Sequence, residues 1–280
     1  MGKNHPDQQL EHSEADSMRI AFTIILNGLH HLKHNNYAEF LLDTFDYWVV
    51  VEGASQSNGD TSWCKTGVPA HYSNEDGSSI DGTTEYLQEL KARHKNLIHI
   101  LPSGPWQSKT KMVNAAAAVI NSLTDHAFVW EIDADEQWTK AEIEAAEKEL
   151  VAQGAKTGTF LCNCYVGKDL MAVGEWGEGL AHPIRRLWDW RKDTFFSHEP
   201  PELQDGNGKT ILLFQRFEHY AYYYEKDVQF KNDWYTGHEN ILQHWRELQA
   251  ETEFPQPISR LIEGHWGQTK TMIYRMKSNG

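Results

Sequence analysis

Residues 130–138 read WEIDADEQW, with four carboxylates in six positions: Glu131, Asp133, Asp135 and Glu136. An apolar run, Phe128-Val129-Trp130, leads into them. Asp133 and Asp135 stand two apart just past a predicted strand, so they converge wherever the chain turns. Carboxylates that close repel unless a cation or a proton sits between them. A hard divalent ion relieves that repulsion and uses one or two protein carboxylates plus phosphate oxygens. The plain alternative is a solvated acidic turn leading into the next helix, whose first turn favours negative charge.

Strand–helix alternation predicts how the acids are held. Residues 18–27 form a continuous β-branched run closed by Asn27-Gly28, followed by a helical segment over 31–43. Residues 46–51 give a second strand ending at Glu52-Gly53, followed by about thirty loop residues rich in Ser, Asn, Asp and Gly. A helix follows over TTEYLQELKARH, then a strand over 96–101, a helix over 108–123 capped by Ser108, and a strand over 126–132. Residues 139–154 predict a helix capped by Thr139 and closed by Gly154. Such alternation implies an α/β fold with a mostly parallel sheet flanked by helices, and ligands in such sheets sit beyond the carboxyl ends of the strands. After 155 the pattern turns to strands (TGTFLCNCYV, IRRLWDW, DTFFS and 209–224) and then to helices near 225–235 and 238–250, a mixed C-terminal half. The domain reading is a solvated tail over 1–17, one domain over 18–250 in halves 18–154 and 155–250, and a C-terminal extension over 251–280.

Among 280 residues the formal net charge is −14. That opposes a duplex nucleic-acid footprint, which needs clustered Lys and Arg. Cys64, Cys162 and Cys164 have neither zinc-site nor disulfide spacing, so Cys162 and Cys164 read as packing residues on one strand face. No apolar run approaches the ~20 residues of a membrane span, which suggests a cytoplasmic protein with no integral membrane segment. Eleven Trp and eleven Tyr offer apolar faces with polar edges, the kind sugars stack on.

In order along the chain, TIILNG, VVVEGAS, PWQSKTKMVNAAA, the strand entering Asp133-Ala134-Asp135-Glu136, IRRLWDWRKDTFFSHEPPE and FEHYAYYYEKDVQFK together resemble GT-A fold glycosyltransferases. The likeness covers roughly 18–235 and is strongest to the inverting family 2 group. It implies a Rossmann-like fold and a metal-dependent transfer of sugar from a nucleoside-diphosphate sugar to a glycan, glycolipid or glycoprotein hydroxyl, with inversion and with Mn²⁺ or Mg²⁺ as cofactor. Asp135 would hold the metal, with His219 as a further contact. Asp133 would contact the ribose or the metal's surroundings. Asn27, Gly28 and Glu52 would line the nucleoside, while Lys109, Lys111, Arg185 and Arg186 would reach phosphate or donor hydroxyls. Glu199 is the candidate general base, with His198 orienting it or taking the proton itself. Trp106 and Trp138 are candidates for sugar stacking or for core packing, and Trp176 sits in a glycine-rich loop suited to acceptor or donor sugar.

Two other enzyme readings use the same acids, and a third reading is non-catalytic. A sugar-nucleotide nucleotidyltransferase would need a glycine-rich basic loop after strand 1, where NGLHHLKHN stands instead. A metal phosphohydrolase would need a clustered histidine set. A carbohydrate-binding protein would bind sugar and release no diphosphate.

Overall fold

The first strand is apolar on both faces apart from Arg19 and Thr23, because both faces are covered. In the computed structural model, which describes residues 17–56, 64–65, 67–174, 183–198, 200–263 and 270–276, β1 (Met18–Ile25) sends Ile20 and Phe22 to one side of the sheet. Ala21 and Ile25 go to the other side. The chain continues through α1 (Leu29–Lys33), α2 (Tyr37–Thr44), β2 (Tyr47–Glu52), α3 (Thr83–Arg93), β3 (Leu97–Ile100), α4 (Lys109–Leu123) and β4 (His126–Glu131). β2 and β4 divide their residues in the same way: Trp48, Val50, Phe128 and Trp130 on one face, Val49, Val51, Ala127 and Val129 on the other. Period-2 alternation with helices against both faces is the reason these strands read as unbroken hydrophobic runs.

The four strands are parallel in the spatial order β4-β1-β2-β3. The chain builds outward from β1 to β3, then returns through α4 to lay β4 on the opposite side of β1. Helices α2 and α3 cover one face through Leu41, Leu87 and Leu90. Helix α4 covers the other through Met112, Val113, Ala116, Ala117 and Ile120. Reversal of strand order between β1 and β4 opens a crevice at their carboxyl ends, the usual ligand position in doubly wound sheets.

The helix predicted over 31–43 is instead two helices joined by a 3-10 turn at His34–Asn36. Asn35 and Asn36 take left-handed backbone at φ 53° and 56°, a conformation Asn tolerates better than most residues. The helix caps are as read: Ser108 Oγ accepts from Lys111 N at the start of α4. Thr139 and Glu142 form a reciprocal capping box on α5 (Lys140–Ala152).

Between β4 and α5 lies the two-residue strand β5 (Glu136–Gln137). The second half contains β6 (Thr157–Tyr165), β7 (Leu170–Val173), β8 (Ile184–Arg191), β9 (Phe196–His198), β10 (Glu202–Leu203), β11 (Thr210–His219), α6 (Glu225–Trp234) and α7 (Ile241–Ala250). β8 runs antiparallel to both β4 and β6, whereas β11 runs parallel to β6, which makes this half mixed as expected. The strand predicted to reach 224 ends at His219, where Tyr220 N donates to Asp135 O at 2.7 Å and the chain turns. Past Ala250, β12 (Gln256–Pro257) and β13 (Met272–Arg275) extend the sheet through β7, and Ile258, Leu261, Ile262 and Ile273 join the core. Trp48, Trp130, Trp188 and Trp190 are fully buried. Complete burial of a side chain the size of Leu or Phe is worth about 1.5–3 kcal/mol, so much of the unusual Trp content belongs to the core. No helix among the described residues is long and apolar enough to cross a membrane.

Candidate functional site

Asn27 and Gly28 leave the end of β1, and Asp133, Ala134 and Asp135 leave the end of β4. All five line one cleft of ≈ 210 Å³. Opposite them stand Lys109 from α4, His31 from α1, and Asp227, Phe230, Lys231, Trp234 and Tyr235 on or beside α6. The cleft therefore pairs carboxylates with two lysines against an aromatic wall.

Three of the four acids of the turn share one internal cation. The antiparallel register Trp130↔Leu187 brings Arg186 beside the end of β4. Its guanidinium, 7% exposed, bonds Glu131 Oε2 at 2.7 Å, Asp133 Oδ2 at 2.6 Å and Glu136 Oε1 at 2.7 Å. Burial alone would lower the Arg186 pKa, but the three carboxylates hold it well above its ordinary value. Three acids against one cation leave an excess of negative charge. Burial, with Asp133 and Asp135 adding to it, pushes the Glu136 carboxyl up to about 8, so the cluster keeps a proton near neutral pH. Arg186 is thus a structural counter-ion and not the expected phosphate partner.

Asp135 is the acid this guanidinium does not reach. Strand pairing of β5 with β11 (His219↔Glu136) sets His219 Nε2 3.7 Å from Asp135 Oδ2. Burial opposes its charge, yet His219, Lys231 and His31 together hold the Asp135 pKa below its ordinary value. Burial lowers the His219 pKa, with Asp135 beside it acting the other way. Lys231 stays protonated: burial lowers its pKa, but Tyr235, Asp135 and Asp227 raise it by more. The expected trio Asp133, Asp135 and His219 does not converge as one ligand set. Among the described residues, the group of three or more His, Cys, Asp and Glu whose ligand atoms fall within 4.8 Å of one another is His30, His31 and Asp227.

Other expected site residues are placed elsewhere. Glu52 is fully buried and points inward: Oε1 accepts from Ser79 N at 3.0 Å and Thr84 Oγ1 at 2.6 Å, and Oε2 lies 2.8 Å from His99 Nε2. Burial raises its pKa, and these bonds more than offset that to leave it lowered. It anchors the loop after β2 and is not among the residues that line the cleft. Gly53, next to it, does line the cleft. Its φ is 134°, and an added Cβ would lie 2.9 Å from Pro102 Cγ, so both backbone and space require glycine there.

Asn27, in left-handed backbone at φ 56°, ties the same loop to the cleft floor. Its Nδ2 donates to Tyr72 O at 2.7 Å, and its Oδ1 accepts from Ile80 N at 2.8 Å. At Gly28 an added Cβ would stand 2.4 Å from Ile25 Cδ1. Lys109 Nζ lies 5.4 Å from the Trp234 ring centroid, a cation–π distance. Lys111 is exposed and outside the cleft lining.

Arg185 does not reach the cleft lining: its Nε donates to Pro201 O at 2.9 Å and its Nη2 to Glu202 at 2.8 Å. It fixes the start of β10. His198, on β9, also lies outside the lining, with Nδ1 3.4 Å from Pro200 O. Glu199 and Trp176 lie outside the described residues. Trp138 packs in the core against Trp130, Phe160 and Phe217. Trp106 is half-buried and donates Nε1 to Glu52 O at 2.8 Å. The aromatic wall of Phe230, Trp234 and Tyr235 was not singled out from sequence. Its only signal was an aromatic spacing of four residues on a helix otherwise notable for charge.

No protein-family model matches this chain, and no curated protein matches it. Among solved structures, S. aureus TarS 1-349 is similar at TM-score 0.45 and 13% identity, over 77% of this chain and 64% of that one. S. aureus TarS 1-349 in complex with UDP gives TM-score 0.41 and 11% identity, over 76% and 64%. A further structure of S. aureus TarS gives 0.40 and 12%, over 76% and 38%. This chain therefore spans at most 64% of the TarS chains it is matched with. Likeness of this size assigns no activity.

Proposed function

We propose that the protein is a metal-dependent GT-A type glycosyltransferase that takes a nucleoside-diphosphate sugar in the β1/β4 crevice and passes its sugar to a glycan hydroxyl with inversion. The observation that carries the reading is the switch-point cleft itself. It combines Asp135, held anionic, with Lys109 and Lys231. A diphosphate needs cations, a bridging divalent ion needs an anionic oxygen, and this cleft offers both sets within one small volume.

The donor set fits Mn²⁺ or Mg²⁺. Asp135 supplies a carboxylate and His219 an imidazole nitrogen beside it, a combination that suits Mn²⁺ somewhat better than Mg²⁺. Held by Asp135 and His219, a divalent cation would supply positive charge for the departing diphosphate. Lys109 and Lys231 hold phosphate oxygens by charge-assisted hydrogen bonds. Asp133, with one oxygen committed to Arg186, keeps its other for a ribose hydroxyl or a metal-bound water. Asn27 and Gly28 permit close approach of the nucleoside, and Phe230, Trp234 and Tyr235 give it or the sugar an apolar face.

In the transfer, the acceptor oxygen bonds to the anomeric carbon as that carbon's bond to the diphosphate breaks. The acceptor proton passes to a base, for which Glu199, oriented by His198, is the candidate. A thermal-shift panel of UDP-, GDP- and dTDP-sugars with and without Mn²⁺ tests the reading. One donor class should stabilise the protein only with metal present. Uniform absence of a metal-dependent shift would remove the donor assignment.

A further inference from the structure

Three side chains outside the acidic turn converge at the other rim of the cleft. His30 and His31 are consecutive in α1, and Asp227 comes from the first turn of α6, 196 residues after His31. His30 Nε2 lies 2.9 and 3.0 Å from the two Asp227 oxygens, and His31 Nε2 lies 2.8 Å from Oδ2. The imidazoles are tilted together at a centroid distance of 4.1 Å. Tyr224 packs edge-on to both, at 5.0 and 5.3 Å. A second contact fixes that tyrosine, whose hydroxyl lies 2.6 Å from His34 Nδ1. Side chains that lose this much rotamer freedom before any ligand arrives are pre-organised.

We propose that His30, His31 and Asp227 form a transition-metal site of their own, distinct from Asp135, for a borderline divalent ion such as Zn²⁺ or Co²⁺. Two imidazole nitrogens and a carboxylate are the donors such ions take, while Mg²⁺ and Ca²⁺ call for oxygen alone. Metal–ligand bonds of about 2.0–2.2 Å in a tetrahedral set place donor atoms about 3.3 Å apart. The observed 2.8–3.0 Å His–Asp227 separations are those of hydrogen bonds in a site without its ion. A tetrahedral set asks each of these His–Asp227 separations to widen by about 0.4 Å.

Nothing fixes the His30 tautomer on its far side. His30 Nδ1 is buried and has no hydrogen-bond partner, so the ring proton can move from Nε2 to Nδ1 and free Nε2 for the ion. His31 and Asp227 line the cleft, so the positions left open on the ion face its interior. A three-ligand site with open positions is the arrangement of metals that bind substrate or activate water, whereas structural zinc is closed by four. The ligand it would take from the cleft is an oxygen donor, a phosphate or a sugar hydroxyl. The site does not rest on the glycosyltransferase reading.

Titration of the full-length protein with Co²⁺, followed by visible absorption, tests the proposal. The first ion bound per chain should give the intense d–d bands of a four- or five-coordinate site, unchanged in D135N. Asp227→Asn and His31→Gln should each weaken binding by at least about tenfold. Proton NMR of the wild-type Co²⁺ form should also show hyperfine-shifted imidazole N–H signals from two histidines, a readout that needs no variant. Absent bands, bands that survive D227N and H31Q, or bands lost in D135N alone would each overturn the site. The donor assay with Mn²⁺ can fail or succeed independently of any of these outcomes.

Discussion

Arg186 Nη2 stands 2.6 Å from Asp133 Oδ2, and the same guanidinium holds Glu131 and Glu136 at 2.7 Å each. The acidic turn is therefore organised by an arginine from the neighbouring antiparallel strand. Removal of that charge takes away the guanidinium that two fully buried carboxylates and one cleft carboxylate share. Arg186→Met should destabilise the fold by about 3–5 kcal/mol, the range for breaking one side of a buried ion pair. Chemical denaturation measures it. A loss under about 1 kcal/mol would mean that the guanidinium is not what stabilises these acids.

A proton on Glu136 makes the turn sensitive to pH. Its folded pKa is raised by burial to about 8, above the ordinary carboxyl value. The sign follows from linkage: stability from the protonated form is fully present below the unfolded-state pKa of ~4.3 and is lost as pH rises towards 8. Glu136→Gln removes that ionisation, so the stability of wild type relative to E136Q should decline steadily from pH 5 to pH 8. A pH-independent difference between the two would contradict the raised pKa.

Thiol chemistry checks the core. Burial pushes Cys162 well above its ordinary range and Cys164 up to about 12. At pH 8 the thiolate fraction of Cys164 is on the order of 10⁻⁴, and it is the thiolate that reacts. Iodoacetamide on the folded protein should leave both unmodified over hours, whereas addition of denaturant should expose them at once. Rapid native labelling at Cys164 would show that β6 opens locally.

The sheet and its crevice were largely readable in advance, while the pairings inside it were not. Strands of the parallel half announce themselves as continuous apolar runs, and Ser108, Thr139 and Glu142 mark their helix starts through local hydrogen bonds. Cys162 and Cys164 alternate into the core as their spacing required. Glu52 looked like a cleft residue because it ends a strand, but a side chain at that position turns in or out according to partners that sequence does not show. Its partners, Ser79, Thr84 and His99, come from the loop, α3 and β3. Arg186 and Asp227 were hidden for a related reason. One depends on an antiparallel register to β4, and the other meets histidines nearly two hundred residues away. Local periodicity carries no information about either.

Lys231 is the cation best placed to separate phosphate binding from structure. Its Nζ lies 5.4 Å from the Tyr222 ring centroid and 5.7 Å from that of Tyr235, both cation–π distances, and the side chain is half-buried. Lys231→Met preserves most of that packing and removes the charge. Nucleoside-diphosphate affinity should fall by about tenfold or more, ~1.4 kcal/mol, with little change in melting temperature. Unchanged affinity would place the diphosphate away from α6.

The most direct measurement is calorimetric titration of the nucleoside diphosphate, chosen from the donor panel, into wild type and Asp135→Asn, each with and without Mn²⁺. Wild type should bind tightly with Mn²⁺ and at least about tenfold more weakly without it, and D135N should show the weak value in both conditions. Binding to D135N that Mn²⁺ still strengthens in full would contradict the assignment of Asp135 as the residue that joins metal to diphosphate.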